Sequence, residues 1–201
     1  MLISFEGIDG CGKTTQIKRL STALEEKGYE VLVCREPGGT DVSEMIRAIL
    51  LNPELEINEV TETLLFSAAR SQVIKEIVLP ALQNGKIVIM DRFYDSTTAY
   101  QGYARKALPL EQIHTLNKIA SHGVVPDLTF YLRVSLEASL KRRADRQEDR
   151  MEQSGKEFYE RTILGFDVIS REEDRVISIE SERKIQEISN EIINIVTSKL
   201  A

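Results

Sequence analysis

The chain has 201 residues and a mass of 22.8 kDa; 42% of its residues are hydrophobic and 29% are charged. This length and composition predict a single domain over residues 1–201 that is large enough to bury a core, with no room for a second full domain. The formal net charge of −6 excludes a protein whose whole surface tracks a nucleic-acid polymer, because phosphate backbones bind where lysine and arginine are in excess.

Membrane, export and cross-linking signals are absent from the sequence pattern. The longest apolar stretches, such as Ile87 to Met90, are far shorter than the roughly 20 residues of a membrane-spanning helix. The first residues contain neither a basic region nor a long apolar run, so we expect a cytoplasmic protein without a membrane partner. Cys11 and Cys34 form no C-x-x-C pair, which argues against a disulfide scaffold or a structural zinc site.

Short apolar segments alternate with helical periodicity along the chain. The clearest helix is the last, where isoleucines and a valine recur at spacings of three and four between residues 185 and 196. Alternation of this kind predicts a doubly wound α/β fold, with a five-stranded parallel sheet and helices on both faces. The predicted strands are Leu2 to Phe5, Val31 to Cys34, Ile87 to Met90, Leu128 to Leu132 and Val176 to Ile179.

A phosphate-binding loop follows the first predicted strand. Residues 7–15 read GIDGCGKTT, which matches G-x-x-x-x-G-K-[ST], and a helical stretch from Gln16 to Lys27 comes next. The glycines let backbone N–H groups turn toward an anion, and the helix N-terminus adds favourable charge. We therefore expect a P-loop NTPase fold, with Lys13 along the β- and γ-phosphates. The predicted ATP-binding residues of the loop are Gly7, Ile8, Asp9, Gly10, Cys11, Gly12, Lys13, Thr14 and Thr15.

A metal site and a protein class follow from neighbouring residues. Asp91 comes directly after the third predicted strand, where P-loop proteins place a carboxylate for Mg²⁺, and Thr14 would supply a hydroxyl ligand. A GTPase would need Asn-Lys-x-Asp to read guanine, but the nearest match, Asn117 to Ala120, lacks the aspartate. The chain is also short for a motor or a large ATPase, so a small kinase fits best.

Four segments together resemble the bacterial thymidylate kinase family. They are FEGIDGCGKTTQ from Phe5 to Gln16, REPGGT from Arg35 to Thr40, DRFYDS from Asp91 to Ser96 and YQG from Tyr100 to Gly102. The resemblance implies transfer of the γ-phosphoryl group of ATP to dTMP, with Mg²⁺ as cofactor. The family usually has alanine or serine where this chain has Cys11, a change that backbone-mediated phosphate binding tolerates.

An acceptor pocket is predicted from the residues and from the resemblance. Phe66 and Arg70 lie four apart in the helical stretch Thr61 to Lys75, so both point to one face, where a ring can stack on a base and a guanidinium can donate to O4 of thymine. Without the surrounding motifs, a core phenylalanine beside a solvated arginine would be the better interpretation. The resemblance implies that Asp9 lies near the acceptor sugar, and that Arg47 and Arg92 bind the acceptor phosphate. It implies further that Tyr100 packs on the sugar, that Thr97 and Gln101 lie near the base, and that Glu36 and Pro37 shape the wall.

The segment from Lys141 to Arg150 holds five basic and three acidic residues. A solvated helix is the ordinary interpretation of such a run, but the resemblance implies a lid over ATP at about residues 141–156. Because the phosphate loop carries no arginine, the lid would supply the catalytic one, Arg146 or Arg150, while Arg142 borders adenine. The predicted catalytic residues are Lys13, Asp9, Arg92, Arg146 and Arg150.

Assembly and two rival functions complete the predictions. The resemblance implies a homodimer, for which Val73, Ile77 and Val78 are interface candidates that could equally belong to the core. The nearest rival function is another P-loop nucleoside monophosphate or deoxynucleoside kinase. The rival from a different class is a nucleotide-dependent switch that hydrolyses slowly and signals by conformation.

Overall fold

A five-stranded parallel sheet in the order β2-β3-β1-β4-β5 lies at the centre of the molecule. The structure, a computed structural model, describes residues 1–144 and 149–200. The predicted doubly wound α/β fold is confirmed. The strands are β1 (Leu2–Glu6), β2 (Val31–Arg35), β3 (Ile87–Asp91), β4 (Leu128–Arg133) and β5 (Val176–Glu180).

Each strand continues one residue beyond its predicted end, and the added residue is always charged. In β1 this residue is Glu6, which lies opposite Tyr131 of β4, and in β3 it is Asp91, which lies opposite Phe5. The apolar pattern stops earlier than the ladder of hydrogen bonds because the carboxyl ends of the strands carry functional side chains rather than core residues.

Helices cover both faces of the sheet. Two of them continue into π-helical turns: α3 into Ile74–Val78 and then α4, and α5 into Thr98–Ala104. The helices are α1 (Lys13–Glu25), α2 (Asp41–Leu51), α3 (Glu59–Val73), α4 (Leu79–Gln83), α5 (Tyr94–Thr97), α6 (Leu110–Ala120), α7 (Leu136–Arg142), α8 (Lys156–Glu172) and α9 (Ile185–Leu200).

The alternation of side chains along each strand separates two apolar clusters. In β3, Ile87 and Ile89 pack into the cluster shared with α1, α8 and α9, whereas Val88 and Met90 face the cluster beside the end of α3. The second cluster includes Val73 and Val78, both with no exposed surface. These two valines therefore belong to the core of this chain, which is one of the two alternatives that the sequence left open, and they are not available for a dimer interface.

The phosphate loop lies at the carboxyl end of the central strand, β1. From β1 the chain continues to β2 on one side of the sheet, whereas β4 and β5 lie on the other side of β1. Ligands are expected beyond the carboxyl ends of the strands at such a change of direction.

Within the described residues, no helix has the length and apolar character needed to cross a membrane.

Candidate active site

The loop between β1 and α1 has the backbone of an anion cradle. Gly12 has φ +101° at the start of α1, and no heavy atom lies within 4 Å of the position that a Cβ would take. Gly7 has φ +131°, and a Cβ there would lie 2.7 Å from the carbonyl oxygen of Leu132. Any other residue would be strained by the backbone conformation at position 12, and at position 7 its Cβ would also collide with Leu132. The local sequence therefore forms a glycine-dependent loop at the start of α1, a backbone arrangement suited to an anion.

Lys13 is buried and folds back over this loop. Its Nζ donates to the carbonyl oxygen of Gly7 at 3.0 Å and to that of Ile8 at 3.4 Å. The ammonium group is thereby held at the phosphate loop by two carbonyl groups. Gly7 and Ile8 do not line the cavity that opens above the loop; their carbonyl groups instead hold Lys13 in place.

A cavity of about 530 Å³ opens above the loop. It is lined by the loop itself, by the ends of β2 and β3, and by the segment that follows β5. Its predicted residues are Asp9, Gly10, Cys11, Gly12, Lys13, Thr14, Thr15, Asp91 and Arg142. Arg142 bridges two sides of the cavity, because it donates to the carbonyl oxygen of Gly10 at 3.1 Å and to that of Ser181 at 2.9 Å.

A second cavity adjoins the first and contains the whole predicted acceptor pocket. Helix α3 supplies Phe66 and Arg70, and the turn after β3 with its following helices supplies four more residues. The predicted residues that line it are Asp9, Glu36, Pro37, Arg47, Phe66, Arg70, Arg92, Thr97, Tyr100 and Gln101. Residues from five separate parts of the chain therefore meet at one concave surface.

Arg70 is fixed at the base of this second cavity by a buried ion pair. Its Nε lies 2.7 Å from Oε2 of Glu36, and its Nη1 donates to Oγ1 of Thr97 at 2.9 Å. The two charged side chains are 2% and 4% exposed. Burial raises the pKa of Glu36 to about 7, although Arg70 acts in the opposite direction. The guanidinium retains further N–H groups for a ligand, since it has five donors.

Two buried polar atoms at this cavity have no hydrogen-bond partner among the described residues. They are Oε1 of Glu36 and the hydroxyl of Tyr100. Buried polar groups are nearly always satisfied by protein, water or ligand. Their presence in one cavity indicates that a bound molecule with polar groups completes the site.

Arg92 crosses the boundary between the two cavities. Its φ of +72° is unusual for a residue with a side chain, and its Nη2 donates to Oδ1 of Asp9 at 2.8 Å. Glu6 stabilises the turn behind it, because one carboxylate oxygen accepts from the N–H of Phe93 and the other from the hydroxyl of Ser96. Burial, then repulsion from Asp95, raises the pKa of Glu6 to about 8.

Four residues line both cavities and mark where they meet: Asp9, Glu36, Arg47 and Arg92. Arg47 is half-buried and forms no ion pair within the described part of the chain; it donates only to the carbonyl oxygen of Pro37 at 2.9 Å. Its pKa is lowered by burial and, to a smaller extent, by repulsion from Arg35, so the negative charge of a bound anion would stabilise the guanidinium at this position. The junction is suited to two phosphate groups placed side by side.

Comparison with known proteins agrees with this geometry. The family model described as thymidylate kinase matches residues 5–192. The chain belongs to the thymidylate kinase family. A thymidylate kinase from Chlorobaculum parvum is 47% identical, with 96% of this chain and 94% of that protein covered. One from Thermoanaerobacter sp. is 44% identical, with 98% of both chains covered. The crystal structure of thymidylate kinase from Ehrlichia chaffeensis has a TM-score of 0.80 at 35% identity and covers 98% of each chain.

The lid predicted from this family resemblance is only partly described. Arg146 lies outside the described residues. Arg150 lines neither cavity: its Nη2 lies 2.7 Å from Oε2 of Glu62, and its Nε donates to the carbonyl oxygen of Leu50 at 2.7 Å. In this structure a short, buried ion pair holds the guanidinium of Arg150 away from both cavities, and its contact with the transferred phosphoryl group stays a prediction.

Several lining residues were not predicted. Ser181, Arg183 and Ile185 follow β5 and complete the larger cavity beside Arg142. The rule that ligands bind beyond the carboxyl ends of parallel strands applies to β5 as well, and could have identified them. Met151 and Asp149 line the acceptor cavity from the lid side, and no motif in the sequence marks them.

Proposed function

We propose that this member of the thymidylate kinase family transfers the γ-phosphoryl group of ATP to dTMP, with the larger cavity as the ATP site and the second cavity as the dTMP site. Family membership supports the reaction, which gives dTDP and ADP. The single observation that carries the assignment of sites is the junction, where Asp9, Arg47 and Arg92 belong to both cavities. A direct transfer between two nucleotides needs their reacting phosphates to be adjacent.

The proposed chemistry rests on positioning and charge neutralisation. Lys13 would leave the carbonyl groups of Gly7 and Ile8 for the β- and γ-phosphates, while Arg92 and Arg47 would hold the acceptor phosphate. The acceptor oxygen is already anionic near neutral pH, so no general base is required. Arg146 of the lid remains our candidate for the arginine that stabilises the transferred group.

The residues present fit Mg²⁺. Asp91 accepts no side-chain hydrogen bond from any described residue and faces the ATP cavity, as does the exposed Thr14 hydroxyl. Mg²⁺ takes few protein ligands beside a nucleotide and keeps several waters, so two oxygen donors are sufficient. Among the described residues there is no cluster of three or more His, Cys, Asp or Glu that could hold a metal alone. We propose that Thr14 and Asp91 hold the ion, which would neutralise charge on the phosphates.

Acceptor specificity tests the proposal. ADP release from Mg·ATP is measured with dTMP, dUMP, dCMP, dGMP, AMP and thymidine supplied one at a time, and the product is identified by mass. Strong dependence on dTMP with formation of dTDP is the expected result. Preference for thymidine or another monophosphate would favour the rival kinase, and slow release without any acceptor would favour the switch. Lys13→Ala should abolish turnover, whereas Lys18→Ala, an exposed change on the same helix, should not.

We also propose a homodimer in the cytoplasm. Apolar side chains are exposed on two helices that pack against each other, Val42, Met45 and Ile49 on α2 and Val60 and Leu64 on α3. Exposed apolar groups in such number favour a protein contact, and a second copy fits the predicted assembly. The unpaired Cys11 and Cys34 support a reducing compartment.

Sedimentation analysis tests this assembly. Wild type is expected to sediment as a dimer, and Met45→Glu as a monomer. Leu164→Glu, which alters an exposed apolar residue on α8, is the matched control and should remain dimeric. A monomeric wild type at micromolar concentration would contradict the proposed dimer without affecting the assigned reaction.

A further inference from the structure

A buried carboxylate lies directly behind the acceptor cavity and outside every predicted set of site residues. Glu62 on α3 is one turn from Phe66 and is 1% exposed. Its Oε1 accepts from Nε2 of Gln101 at 3.0 Å and from Nε of Arg105 at 3.3 Å. Its Oε2 lies 2.7 Å from Nη2 of Arg150. Two guanidinium groups thus compensate the buried charge, and one contact reaches a residue of the dTMP cavity.

The contact with Gln101 determines which way its amide faces. An ionised carboxylate only accepts hydrogen bonds, so the amide must turn its nitrogen toward Glu62 and its oxygen away. Within the described part of the chain, this oxygen accepts no hydrogen bond. Gln101 itself is nearly fully buried and lines the cavity with Phe66 and Arg70. With its oxygen turned away from Glu62, Gln101 can offer the cavity a hydrogen-bond acceptor, and Arg70 can offer it donors.

This pair of groups matches one class of base edge. Thymine and uracil present a hydrogen on N3 and an acceptor at O4, whereas cytosine presents an acceptor at N3 and an amino donor at C4. We propose that Glu62 is a specificity-positioning residue, which locks the Gln101 amide with its oxygen toward the base and so selects acceptors that carry a hydrogen on N3. This inference rests on the proposed function, because it takes dTMP as the acceptor.

The proposal predicts how a neutral replacement behaves. In Glu62→Gln the new amide can donate as well as accept, so Gln101 can turn either face toward the base. A cytosine ring then finds a donor for N3 that the wild type does not offer. A site built around fixed hydrogen bonds discriminates because the wrong ligand leaves buried groups unpaired, and this discrimination is lost when the groups can turn.

The experiment compares kcat/KM for dTMP with kcat/KM for 5-methyl-dCMP, which has the same methyl group, sugar and phosphate. Glu62→Gln is expected to reduce the preference for dTMP about tenfold. Gln101→Ala and the double variant Glu62→Gln/Gln101→Ala complete a double-mutant cycle. If Glu62 acts through Gln101, the double variant will show the same preference as Gln101→Ala alone. Arg105→Gln is the control: it removes a partner of Glu62 but not the contact with Gln101, so the preference should stay at the wild-type value even where the melting temperature falls.

Exchanging the two side chains at positions 62 and 101 keeps the net charge of the cluster. This test therefore does not require the protein to fold with a neutral residue beside Arg105 and Arg150. Glu62→Gln/Gln101→Glu keeps one carboxylate and one amide in the cluster and again presents only an acceptor to the base, so it should restore the preference for dTMP. An unchanged preference in Glu62→Gln, or an equal loss in the presence and absence of Gln101, would overturn the inference. A wild type that does not phosphorylate dTMP would instead contradict the proposed function.

Discussion

Replacing Arg70 with glutamine tests the buried ion pair between Arg70 and Glu36 at the second cavity. Arg70→Gln removes the 2.7 Å contact with Glu36 and leaves its carboxylate almost fully buried. Breaking a buried ion pair by removing one partner costs about 3–5 kcal/mol, because the remaining charge loses its compensation. Since domains of this kind unfold with about 5–15 kcal/mol, the variant should fold at 25 °C with a clearly lower melting temperature.

The cost should depend on pH in a defined direction. Burial raises the pKa of Glu36 to about 7 from 4.5, even though Arg70 opposes the shift. Without Arg70 the pKa rises further, so the folded variant retains a proton that the unfolded chain has already lost above 4.5. The folded state then binds more protons than the unfolded state, and stability falls as pH rises. Each unit by which the pKa of Glu36 rises further costs about 1.4 kcal/mol of stability once the pH exceeds that raised pKa. The difference in stability between the variant and the wild type therefore grows toward alkaline pH.

Urea unfolding followed by circular dichroism at pH 5.5 and 8.5 measures this difference. Wild type, Arg70→Gln and the double variant Glu36→Gln/Arg70→Gln are compared, the last having no charge at either position. We expect the free energy of unfolding to fall between the two pH values more steeply in Arg70→Gln than in the other two proteins. Equal differences at both pH values, or a total loss below about 1 kcal/mol, would refute the argument that Arg70 compensates a buried Glu36.

Three further outcomes are expected. Glu6→Gln should gain stability relative to wild type as pH rises from 5 to 9, because burial raises the pKa of Glu6 to about 8 and ionisation of that carboxylate destabilises the wild type; parallel unfolding profiles would contradict this. Arg146→Ala should lower kcat on the order of 10³-fold with little change in ATP affinity. Arg150→Ala breaks a buried ion pair and should mainly lower the melting temperature. The reverse pattern would identify Arg150 as the catalytic arginine. Chelation of Mg²⁺ should abolish ADP release and leave the melting temperature unchanged, since the ion is expected to bind with the nucleotide; a fall in melting temperature would indicate a metal bound to the free protein.

The sequence was most informative where a local pattern and a chemical motif coincide. The strand before the phosphate loop and the helix after it were both predicted, and the glycines of the loop adopt conformations that only glycine accepts readily. Phe66 and Arg70 could be placed on one face of a helix by their spacing, and they line the same cavity. Their roles still needed the family resemblance, because spacing alone does not distinguish a pocket from a core.

Contacts between distant segments were not predictable in this way. Glu62 and Gln101 are 39 positions apart, and no periodicity in α3 distinguishes this glutamate from an exposed one. Arg150 belongs to a charge run that would suit a solvated lid, yet it reaches α2 and α3. Val73 and Val78 were interface candidates because an apolar helix face can pack on its own sheet or on a second chain, and only the fold decides between them.

The distribution of charge explains how an acidic chain can hold two anionic nucleotides. Net charge is −6, yet six cationic side chains and only three carboxylates line the larger cavity. Two of these carboxylates are paired with arginines, Asp9 with Arg92 and Glu36 with Arg70, and the third, Asp91, is the one that we propose as a metal ligand. Because charged groups in a recessed cavity act over short distances and distant surface charges are screened within about 10 Å at ordinary salt, the local excess governs binding. Net charge therefore excludes a surface that tracks nucleic acid but not a pocket for a nucleotide.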